Sequence, residues 1–391
     1  MWLKQIQVKG FRNLEDQSLE FDPTANYLFG DNATGKTSLL EAIHYLAIGR
    51  SFRKSQDREV LKFGAPVFIV QGEASTGETP PHSSVLNHRE HGEHGEPGIS
   101  DSDSSVTSVS SVVTGSERQA EIRSDGLQKR LVLDRVEVER LSSYLGWLPV
   151  VTMLLDDIRL IRGSPGERRA FLDLALSQVS RQYLISLVEY RRILAQRNRL
   201  LMQNPDSATL RTWDEQLVLG GTAIYQQRNR YLPALFKIAI ESAQTLFAGW
   251  QTEITYRASV SQEGDVAANF HQALERHRLR ERELGVTLAG PHRDDITILK
   301  NGIELRKFGS EGEQRSASIA LKLAEAHLIQ EQRKEAPVFL LDEIASELDA
   351  ERSRELFALL ASRGQVFYAA AKPIPAQGRI FHVTAGKIQK A

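Results

Sequence analysis

The stretch of the chain that decides the fold reads Gly30-Asp31-Asn32-Ala33-Thr34-Gly35-Lys36-Thr37. It fits the pattern G-x-x-x-x-G-K-[ST]. The apolar, strand-like run Tyr27–Phe29 precedes it, and a helical pattern from Lys36 to about Ile48 follows it. Glycines in such a loop let backbone N–H groups close around phosphate oxygens, and the helix N-terminus adds a favourable dipole. We therefore predict a nucleotide site at residues 30–37, with Lys36 on the β- and γ-phosphates and Thr37 as a ligand of Mg²⁺.

A phosphate-binding loop of this kind needs an acidic partner on a neighbouring strand, and residues 337–343 supply one. The run Pro337-Val338-Phe339-Leu340-Leu341 is continuously apolar, as a strand buried on both faces requires, and it leads into Asp342 and Glu343. We predict that Asp342 completes the Mg²⁺ site. We predict that Glu343 is the catalytic residue that positions or deprotonates the attacking water. The expected cofactors are ATP and Mg²⁺.

The two halves of this site lie near opposite ends of the sequence, a separation typical of ABC-type ATPases of the SMC and DNA-repair kind. Those proteins carry a signature helix before the acidic strand, and the stretch Ser310-Glu311-Gly312-Glu313-Gln314-Arg315 resembles its S-G-G-Q sequence, with Glu311 in place of the first glycine. Ser310 and Glu313 also fit an S-x-x-E capping box, and both interpretations can hold.

A signature helix in this geometry acts on the nucleotide of a second subunit. Ser310, Gly312 and Gln314 are therefore predicted to bind ATP across the interface of a homodimer that forms with ATP. Residues 346–349 (Ser-Glu-Leu-Asp) resemble the D-loop that crosses the same interface.

The composition is that of an ordinary globular protein, with 41% hydrophobic and 25% charged residues. Lys+Arg 49 against Asp+Glu 50 leaves a formal charge of −1, so any nucleic-acid site must be a local patch. The absence of cysteine excludes disulfides and thiolate metal sites and fits a reducing compartment. No apolar run approaches the ~20 residues that span a bilayer, and the N-terminus has no signal-peptide pattern. We expect a cytoplasmic protein with no membrane partner.

The pattern along the chain predicts an α/β fold: a two-lobed ABC-type (SMC-like) P-loop ATPase head with a helical second lobe. Residues 1–150 are expected to form the N-terminal half of the ATPase lobe, residues 151–285 the helical lobe, and residues 286–391 the C-terminal half with the signature and the acidic strand. Residues 74–116 are rich in Ser, Gly, His, Glu and Pro. Such a segment cannot bury enough apolar surface to offset its ordering entropy, so we predict a disordered insertion between two strands.

Beyond these shared motifs, several stretches resemble the RecF family of bacterial recombination-repair ATPases. The resemblance covers nearly the whole chain apart from residues 74–116. The stretches that carry it are Phe11-Arg12-Asn13, Leu39–Ile43, Gly49–Arg53, Gly163–Asp173 (similar to G-x-P-x-x-R-R-x-F-L-D) and Gly290–Asp295 (similar to G-P-H-R-D-D).

The resemblance implies an ATP-dependent DNA-binding protein of recombinational repair and replication that forms an ATP-driven dimer clamp. It also implies binding to single-stranded, gapped and junction DNA, partnership with RecR and RecO, help in loading the RecA recombinase at gaps, and support of the SOS response. Arg50, Arg53 and Lys54 are the candidate DNA contacts. The arginines of the helical region are equally well explained as DNA contacts or as a solvated helix face: Arg181, Arg191, Arg192, Arg197 and Arg199. The pair Arg168-Arg169 also fits structural pairing with Asp156, Asp157 or Asp173.

Two departures from the family pattern affect the site. Ala33 stands where glycine is usual, so the loop is expected to need no positive φ there. The strand Gln365–Ala371 ends in three alanines and lacks the usual polar switch residue, so we expect slow hydrolysis that DNA stimulates.

Three other functions share part of this pattern. An SMC-like or other ABC-type chromosome-structuring ATPase is the nearest alternative, although it needs long coiled-coil arms that this sequence lacks. A transporter nucleotide-binding subunit would share the phosphate loop and the signature, but usually with a short spacing between them. A nucleotide-gated clamp with negligible turnover fits the altered switch strand.

Overall fold

The loop at residues 30–37 leaves the middle of a six-stranded, mainly parallel sheet. The computed structural model describes residues 1–76, 117–203, 206–246, 249–344, 350–371 and 378–391. In sheet order the strands are β15 (Lys387–Lys390), β14 (Arg379–Thr384), β3 (Ala25–Phe29), β13 (Val366–Ala370), β12 (Val338–Asp342) and β8 (Val150–Leu154). All neighbours are parallel except β14 and β15. Because β3 and β12 run in the same direction, the phosphate loop and the acids after β12 emerge at the same edge of the sheet.

A second, antiparallel sheet covers one face of this layer. In sheet order its strands are β2 (Gln17–Glu20), β1 (Trp2–Lys9), β4 (Phe68–Ser75), β5 (Glu117–Ser124), β6 (Lys129–Leu133) and β7 (Val136–Val138). Helix α1 (Lys36–Ile48) lies in the core between the two sheets, and almost all of its side chains are buried. The short helices α2 (Asp57–Val60) and α3 (Leu141–Tyr144) contribute to the same core. The phosphate loop is therefore joined to a helix that is held on several sides.

The opposite face of the central sheet packs against helices α10 (Glu311–Arg333) and α11 (Ala350–Ala361). Helix α10 is buried on more than one side: Ile319 and Leu323 contact the sheet core, whereas Leu321 and Leu328 contact the core of the second lobe. Any displacement of the second lobe must therefore also displace α10, the helix that begins at the signature stretch.

The second lobe consists of helices and a small sheet around one apolar core. Its elements are α4 (Arg159–Arg162), α5 (Pro165–Val179), α6 (Arg181–Met202), α7 (Ser207–Leu246), α8 (Val266–Leu284), α9 (Leu305–Phe308), the strands β9 (Thr252–Arg257), β10 (Asp295–Lys300) and β11 (Ile303–Glu304), and 3₁₀ turns at Leu155–Ile158 and Pro291–Arg293.

The structure shifts both boundaries expected for this lobe. The helical lobe was expected to begin at residue 151. That residue lies in β8, which is an edge strand of the central sheet. At the other end, Ile296, Ile298 and Leu305 lie in the second core, although they belong to the segment expected to return to the ATPase lobe. The cause is that β10 pairs with β9, so that a strand beyond residue 285 is bound to the helical side.

The insertion expected at residues 74–116 lies between two paired strands, because Ser75 is in register with Glu117. Its first residues are ordered: β4 extends to Ser75. The remainder of the predicted insertion, residues 77–116, lies outside the described residues. Within the described parts of the chain, no helix is both long enough and apolar enough to cross a membrane.

Candidate nucleotide-binding site

The phosphate loop has a tightly constrained backbone. Gly30 faces β14 so closely that a Cβ atom would lie 2.1 Å from the carbonyl oxygen of Val383. Gly35, which precedes α1, has φ +118, a conformation that favours glycine. Ala33 has φ +65, so the expectation that an alanine needs no positive φ here is wrong. The loop imposes the left-handed conformation, which costs an L-residue about 1 kcal/mol.

The loop is supported from both ends of the chain. The amide of Asn13 donates to the carbonyl oxygen of Ala33 at 3.1 Å and its oxygen accepts from Ser38 Oγ at 2.7 Å. The backbone N–H of Gly386 donates to the carbonyl of Thr34 at 2.7 Å. Asn13 belongs to a family-like stretch that gives it no role, and Gly386 lies outside all the motifs of the sequence. Both residues fix the loop backbone.

The side chain of Lys36 lies inside the phosphate loop. Its side chain is buried, with the residue only 4% exposed. Its ammonium donates to the carbonyl oxygens of Gly30 at 2.7 Å and Asp31 at 2.8 Å. The positive charge is thus held inside the loop, where backbone N–H groups and the N-terminus of α1 also favour an anion.

The side chains of Thr37 and Asp342 are in direct contact. The threonine hydroxyl donates to Asp342 Oδ1 at 3.0 Å, which joins the first turn of α1 to the end of β12. Burial raises the pKa of Asp342, the hydrogen bond from Thr37 lowers it, and the neighbouring Glu343 raises it further. A hydroxyl and a carboxylate side by side are the hard oxygen donors that Mg²⁺ prefers, so the residues present fit this cation.

Glu343 adopts an unusual backbone conformation directly after Asp342. Its φ is +54, in the left-handed region, and its N–H donates to the carbonyl of Ala369 at 3.0 Å. Such strain costs a non-glycine residue on the order of 1–3 kcal/mol and persists only where the surroundings enforce it. The bond to β13 is one contact that holds Glu343 in this conformation.

These groups share one cavity of about 630 Å³. The residues that line it are Arg12, Asn13, Asn32, Ala33, Gly35, Lys36, Thr37, Ser38, Arg53, Glu59, Leu61, Asp342 and Glu343. The cavity thus unites the phosphate loop with both acids predicted from the far end of the chain. Arg12, to which the sequence assigns no function, also lines the cavity.

The two arginines of this cavity are held by one buried carboxylate. Glu41, on α1, is fully buried and accepts from Arg12 Nε at 3.0 Å and Nη2 at 2.6 Å. Arg53 approaches the same carboxylate at 3.7 Å and remains 43% exposed. Arg53 was named from the sequence as a DNA candidate, but its position on the cavity wall also gives it access to a bound nucleotide.

The other two DNA candidates lie away from the cavity. Arg50 is exposed just after α1. Lys54 is 70% exposed and approaches Glu167 on α5 at 3.5 Å, which connects the loop after α1 to the second lobe. Neither side chain lines the phosphate cavity.

The arginines of the helical region do not form one surface. Arg197 is fully buried and bonds to Asp214 and Glu281 at 2.7 Å each, so neither interpretation taken from the sequence applies to it. Arg191 bonds to Asp173 at 2.7 Å, and Arg192 pairs with Glu189 on its own helix. Glu281, on α8, is fully buried as well.

Two of the family-like stretches meet at another buried arginine. Arg228 on α7 bonds to Asp173 at 2.9 Å and to Asp294 at 2.8 Å, and its side chain is 1% exposed. It also donates to the hydroxyls of Tyr183 and Tyr256 at 3.1 Å. Asp173 ends the F-L-D stretch, and Asp294 is the first aspartate of the G-P-H-R-D-D stretch. Both therefore form ion pairs in the interior of the second lobe.

The pair Arg168-Arg169 has other partners than the three aspartates suggested by the sequence. Arg168 makes a bidentate pair with Asp295, at 2.6 and 2.9 Å. Arg169 donates to the carbonyl of Asp294 at 2.7 Å. These contacts join α5 to β10. They account for charged residues in the family-like stretches Gly163–Asp173 and Gly290–Asp295.

The signature stretch stands apart from the phosphate cavity of its own chain. Ser310 caps α10 and forms a capping box with Glu313, so the capping interpretation is correct. Ser310 and Gly312 are exposed, and a Cβ atom at Gly312 would meet nothing within 4 Å. Gln314 instead points inward and donates to the carbonyl of Leu305 at 2.9 Å. Its predicted contact with ATP would require this bond to break. The D-loop stretch, residues 346–349, lies outside the described residues.

Helix α10 is anchored behind its exposed start by a buried charge cluster. Lys322 bonds to Glu325 at 2.5 Å, and the side chains are 5% and 1% exposed. Asp157, in the turn after β8, lies close enough for the Lys322 charge to lower its pKa, although burial raises that pKa more strongly. The signature helix is thereby fixed to the edge strand of the central sheet.

Comparison with known proteins agrees with this geometry. The family model described as RecF/RecN/SMC N terminal domain matches residues 2–373. The chain is 34% identical over 361 residues to the DNA replication and repair protein RecF of Lachnoclostridium phytofermentans, covering 91% of this chain and 89% of that protein. It is 34% identical over 405 residues to the protein of the same name from Symbiobacterium thermophilum, covering 99% and 98%.

Solved structures give the same result. A structure of the recombination mediator protein RecF with ATP in the RecFOR pathway superimposes with a TM-score of 0.85 at 28% identity, covering 100% of this chain and 97% of that one. The Smc head domain of Pyrococcus furiosus matches with a TM-score of 0.53 at 16% identity, which reflects the shared fold alone. The expected SMC-like ABC-type head is thus confirmed, and the chain belongs to the RecF family of DNA replication and repair proteins.

Proposed function

We propose that this protein is an ATP-dependent DNA-binding protein of recombinational repair and replication, acting as a dimer clamp that ATP closes. The observation that carries the proposal is the divided site. Lys36, Thr37 and Asp342 share one cavity, whereas the exposed start of α10 at Ser310 does not line that cavity. A nucleotide in the cavity therefore needs a second subunit to bring a Ser310 turn to it.

Within one subunit, the roles follow from position. The loop Gly30–Thr37, and Lys36 in particular, would hold the phosphates of ATP. Thr37 and Asp342 would hold Mg²⁺, which would neutralise phosphate charge. Glu343 lines the same cavity and would orient the attacking water. The strand beside it, β13, ends in alanines and offers no polar side chain there. We therefore expect slow hydrolysis that DNA stimulates.

The dimer would be closed by ATP because a nucleotide already held by the phosphate loop of one subunit gains further contacts when the Ser310 turn of the second subunit reaches it. Ser310 and Gly312 are accessible for this contact. Such an interface is isologous, with two nucleotides between two copies.

The DNA role rests on family membership and on exposed cations. Arg50 and Lys54 lie outside the phosphate cavity and can reach phosphate oxygens of single-stranded, gapped or junction DNA. The named relatives are replication and repair proteins, and one solved relative belongs to the RecFOR pathway. We accordingly propose a cytoplasmic role with RecR and RecO, in which the protein helps to load RecA at gaps and supports the SOS response.

The dimer is tested with Ser310→Arg. Light scattering of the wild type should show a dimer with ATP and a monomer with ADP. Ser310→Arg should remain monomeric with ATP while its own phosphate loop still binds a fluorescent ATP analogue. Ser261→Arg places the same bulk at another exposed serine and should behave as the wild type. The proposal of a site divided between two subunits is rejected if the wild type has the same molecular mass with ATP and with ADP. It is also rejected if Ser310→Arg still dimerises with ATP.

The DNA role is tested by the ATPase rate with and without gapped DNA. Stimulation is expected in the wild type, and the double substitution Arg50→Glu, Lys54→Glu should weaken DNA binding at least tenfold at low salt while leaving the unstimulated rate unchanged. An ATPase rate that gapped DNA does not alter contradicts the proposal.

A further inference from the structure

The turn that starts α10 is acidic, and this conflicts with the role proposed for it. Glu311 and Glu313 flank the exposed Gly312 within one helical turn of Ser310. Acidic residues at a helix start favour the helix itself. A triphosphate brought to the same turn by a second subunit would, however, meet two carboxylates, and like charges a few ångströms apart repel strongly where water is excluded.

Each of the two carboxylates has a cationic partner. Glu311 pairs with Arg315 one turn along the helix at 2.8 Å, as neighbours four positions apart can. Glu313 pairs with Lys300 at 2.5 Å. The second partner is the more informative one, because Lys300 belongs to β10 and not to the helix.

The contacts of Glu313 divide between its two oxygens. Oε2 accepts from the backbone N–H of Ser310 at 2.8 Å and from its hydroxyl at 3.0 Å. Oε1 accepts from Lys300. The bond to Lys300 is the largest of the effects that lower the pKa of Glu313, so the carboxylate stays ionised and paired. One residue therefore fixes both the orientation of Ser310 and the local charge.

Lys300 is itself held in place. It is the last residue of β10, where it pairs with Thr252 of β9. Its ammonium lies 4.7 Å from the ring centroid of Trp250, a cation–π contact. The Lys300 side chain is 21% exposed and that of Glu313 31%, so the pair is partly shielded. The small sheet of the second lobe thus presents one fixed positive charge to the signature turn.

We propose that Lys300 is a positioning residue for ATP-driven dimerisation: it neutralises Glu313 and holds the Ser310 turn so that the triphosphate of the other subunit can approach. The inference rests on the proposed function, which brings that triphosphate to Ser310. It goes further because it gives a specific role to the second lobe, which contributes a charge to the interface without contacting the nucleotide.

The test compares Lys300→Met with a double variant. Light scattering over a range of protein concentrations, with saturating ATP, gives the dimer dissociation constant. Lys300→Met should raise it at least tenfold, because Glu313 is then unpaired and repels the triphosphate. Lys300→Arg should stay within threefold of the wild type, because the charge is kept.

The double variant Lys300→Met, Glu313→Gln should restore dimerisation to within threefold of the wild type. Glutamine can keep the capping box but carries no charge. Lys307→Met, which removes a lysine paired with Glu304 at 2.8 Å, is the matched control and should have no effect. Binding of a fluorescent ATP analogue, measured on every variant at protein concentrations where all are monomeric, and the melting temperature should remain close to wild-type values.

The outcomes are distinct. A Lys300→Met variant that dimerises as well as the wild type overturns this inference and leaves the divided site intact. A loss that Glu313→Gln does not rescue shows that Lys300 serves only the fold of the second lobe, which also overturns it. A wild type that does not respond to ATP overturns the proposed function, and the inference with it.

Discussion

Arg228 offers the sharpest test of what the family-like stretches do. We predict that Arg228→Met destabilises the protein severely while leaving the phosphate cavity chemically intact. The side chain lies on α7, and none of its contacts involves a residue that lines the cavity. The substitution keeps an apolar stem of similar length and removes only the charged head.

The magnitude follows from the contacts that are lost. Arg228 neutralises Asp173 and Asp294, whose side chains are 10% and 0% exposed, so both carboxylates would lose their buried partner. Removing one partner of a buried ion pair costs about 3–5 kcal/mol, because the remaining charge is uncompensated. The bonds to two tyrosine hydroxyls and to the carbonyl of Pro291 are lost as well. We therefore expect a decrease of about 4 kcal/mol in the free energy of unfolding, a large share of the ~5–15 kcal/mol that a typical domain has.

The assay is urea unfolding followed by far-ultraviolet circular dichroism and by tryptophan fluorescence. Two probes are needed because a two-lobed chain need not unfold in a single step. Arg191→Ala is the matched control. It removes another arginine from the same Asp173, but its side chain is 55% exposed. That loss should cost no more than ~1 kcal/mol. Equal stability of Arg228→Met and Arg191→Ala would refute the structural role of the two aspartates.

Three further predictions concern the loop, the insertion and one histidine. Lys36→Arg should keep the fold and lose most ATP hydrolysis, because a guanidinium cannot replace a compact ammonium between phosphates, and wild-type turnover would reject the role of Lys36. Replacing residues 77–116 by Asn-Gly should leave the melting temperature within ~2 °C of the wild type and ATP affinity unchanged, because Ser75 already pairs with Glu117 and a three-residue loop can join them. Burial lowers the pKa of His292 to about 4, so stability is complete above pH 6.5 and falls as the pH drops toward 4. His292→Gln should remove about 2 kcal/mol of the difference in unfolding free energy between pH 7 and pH 5, as measured by urea unfolding at both, and an unchanged difference would contradict that shift.

The parts of the site that could be predicted are those with a local pattern. Helix α1 begins at Lys36 and ends at Ile48 as expected, because its apolar spacing and the flanking glycines act within a few residues. The apolar run before Asp342 forms a strand in the parallel sheet, because uninterrupted apolar residues suit burial on both faces. The capping box at Ser310 was predictable for the same local reason.

The parts that could not be predicted depend on contacts between distant residues. The sequence allows Arg168 to pair with nearby aspartates as one alternative, whereas its partner is Asp295, far along the chain. Arg197 lies on the same helix as exposed arginines, and the packing of α7 and α8 against α6 buries it. The positive φ of Ala33 is imposed by the closure of the loop against β14 and α1, against the preference of an alanine. Periodicity carries no information about such pairings.

The position of β3 affects how the chain is synthesised. This strand ends at Phe29, and its two neighbours in the sheet begin at Val366 and Arg379. At ~5–20 residues per second, a ribosome needs about 20–70 s to reach them. Throughout that interval the five residues of β3, all buried in the finished protein, have no hydrogen-bonding neighbour. The nascent chain therefore exposes an apolar strand that other chains can pair with, and a product truncated before residue 366 keeps that strand open permanently. Newly made chains should thus depend on chaperones until translation is nearly finished.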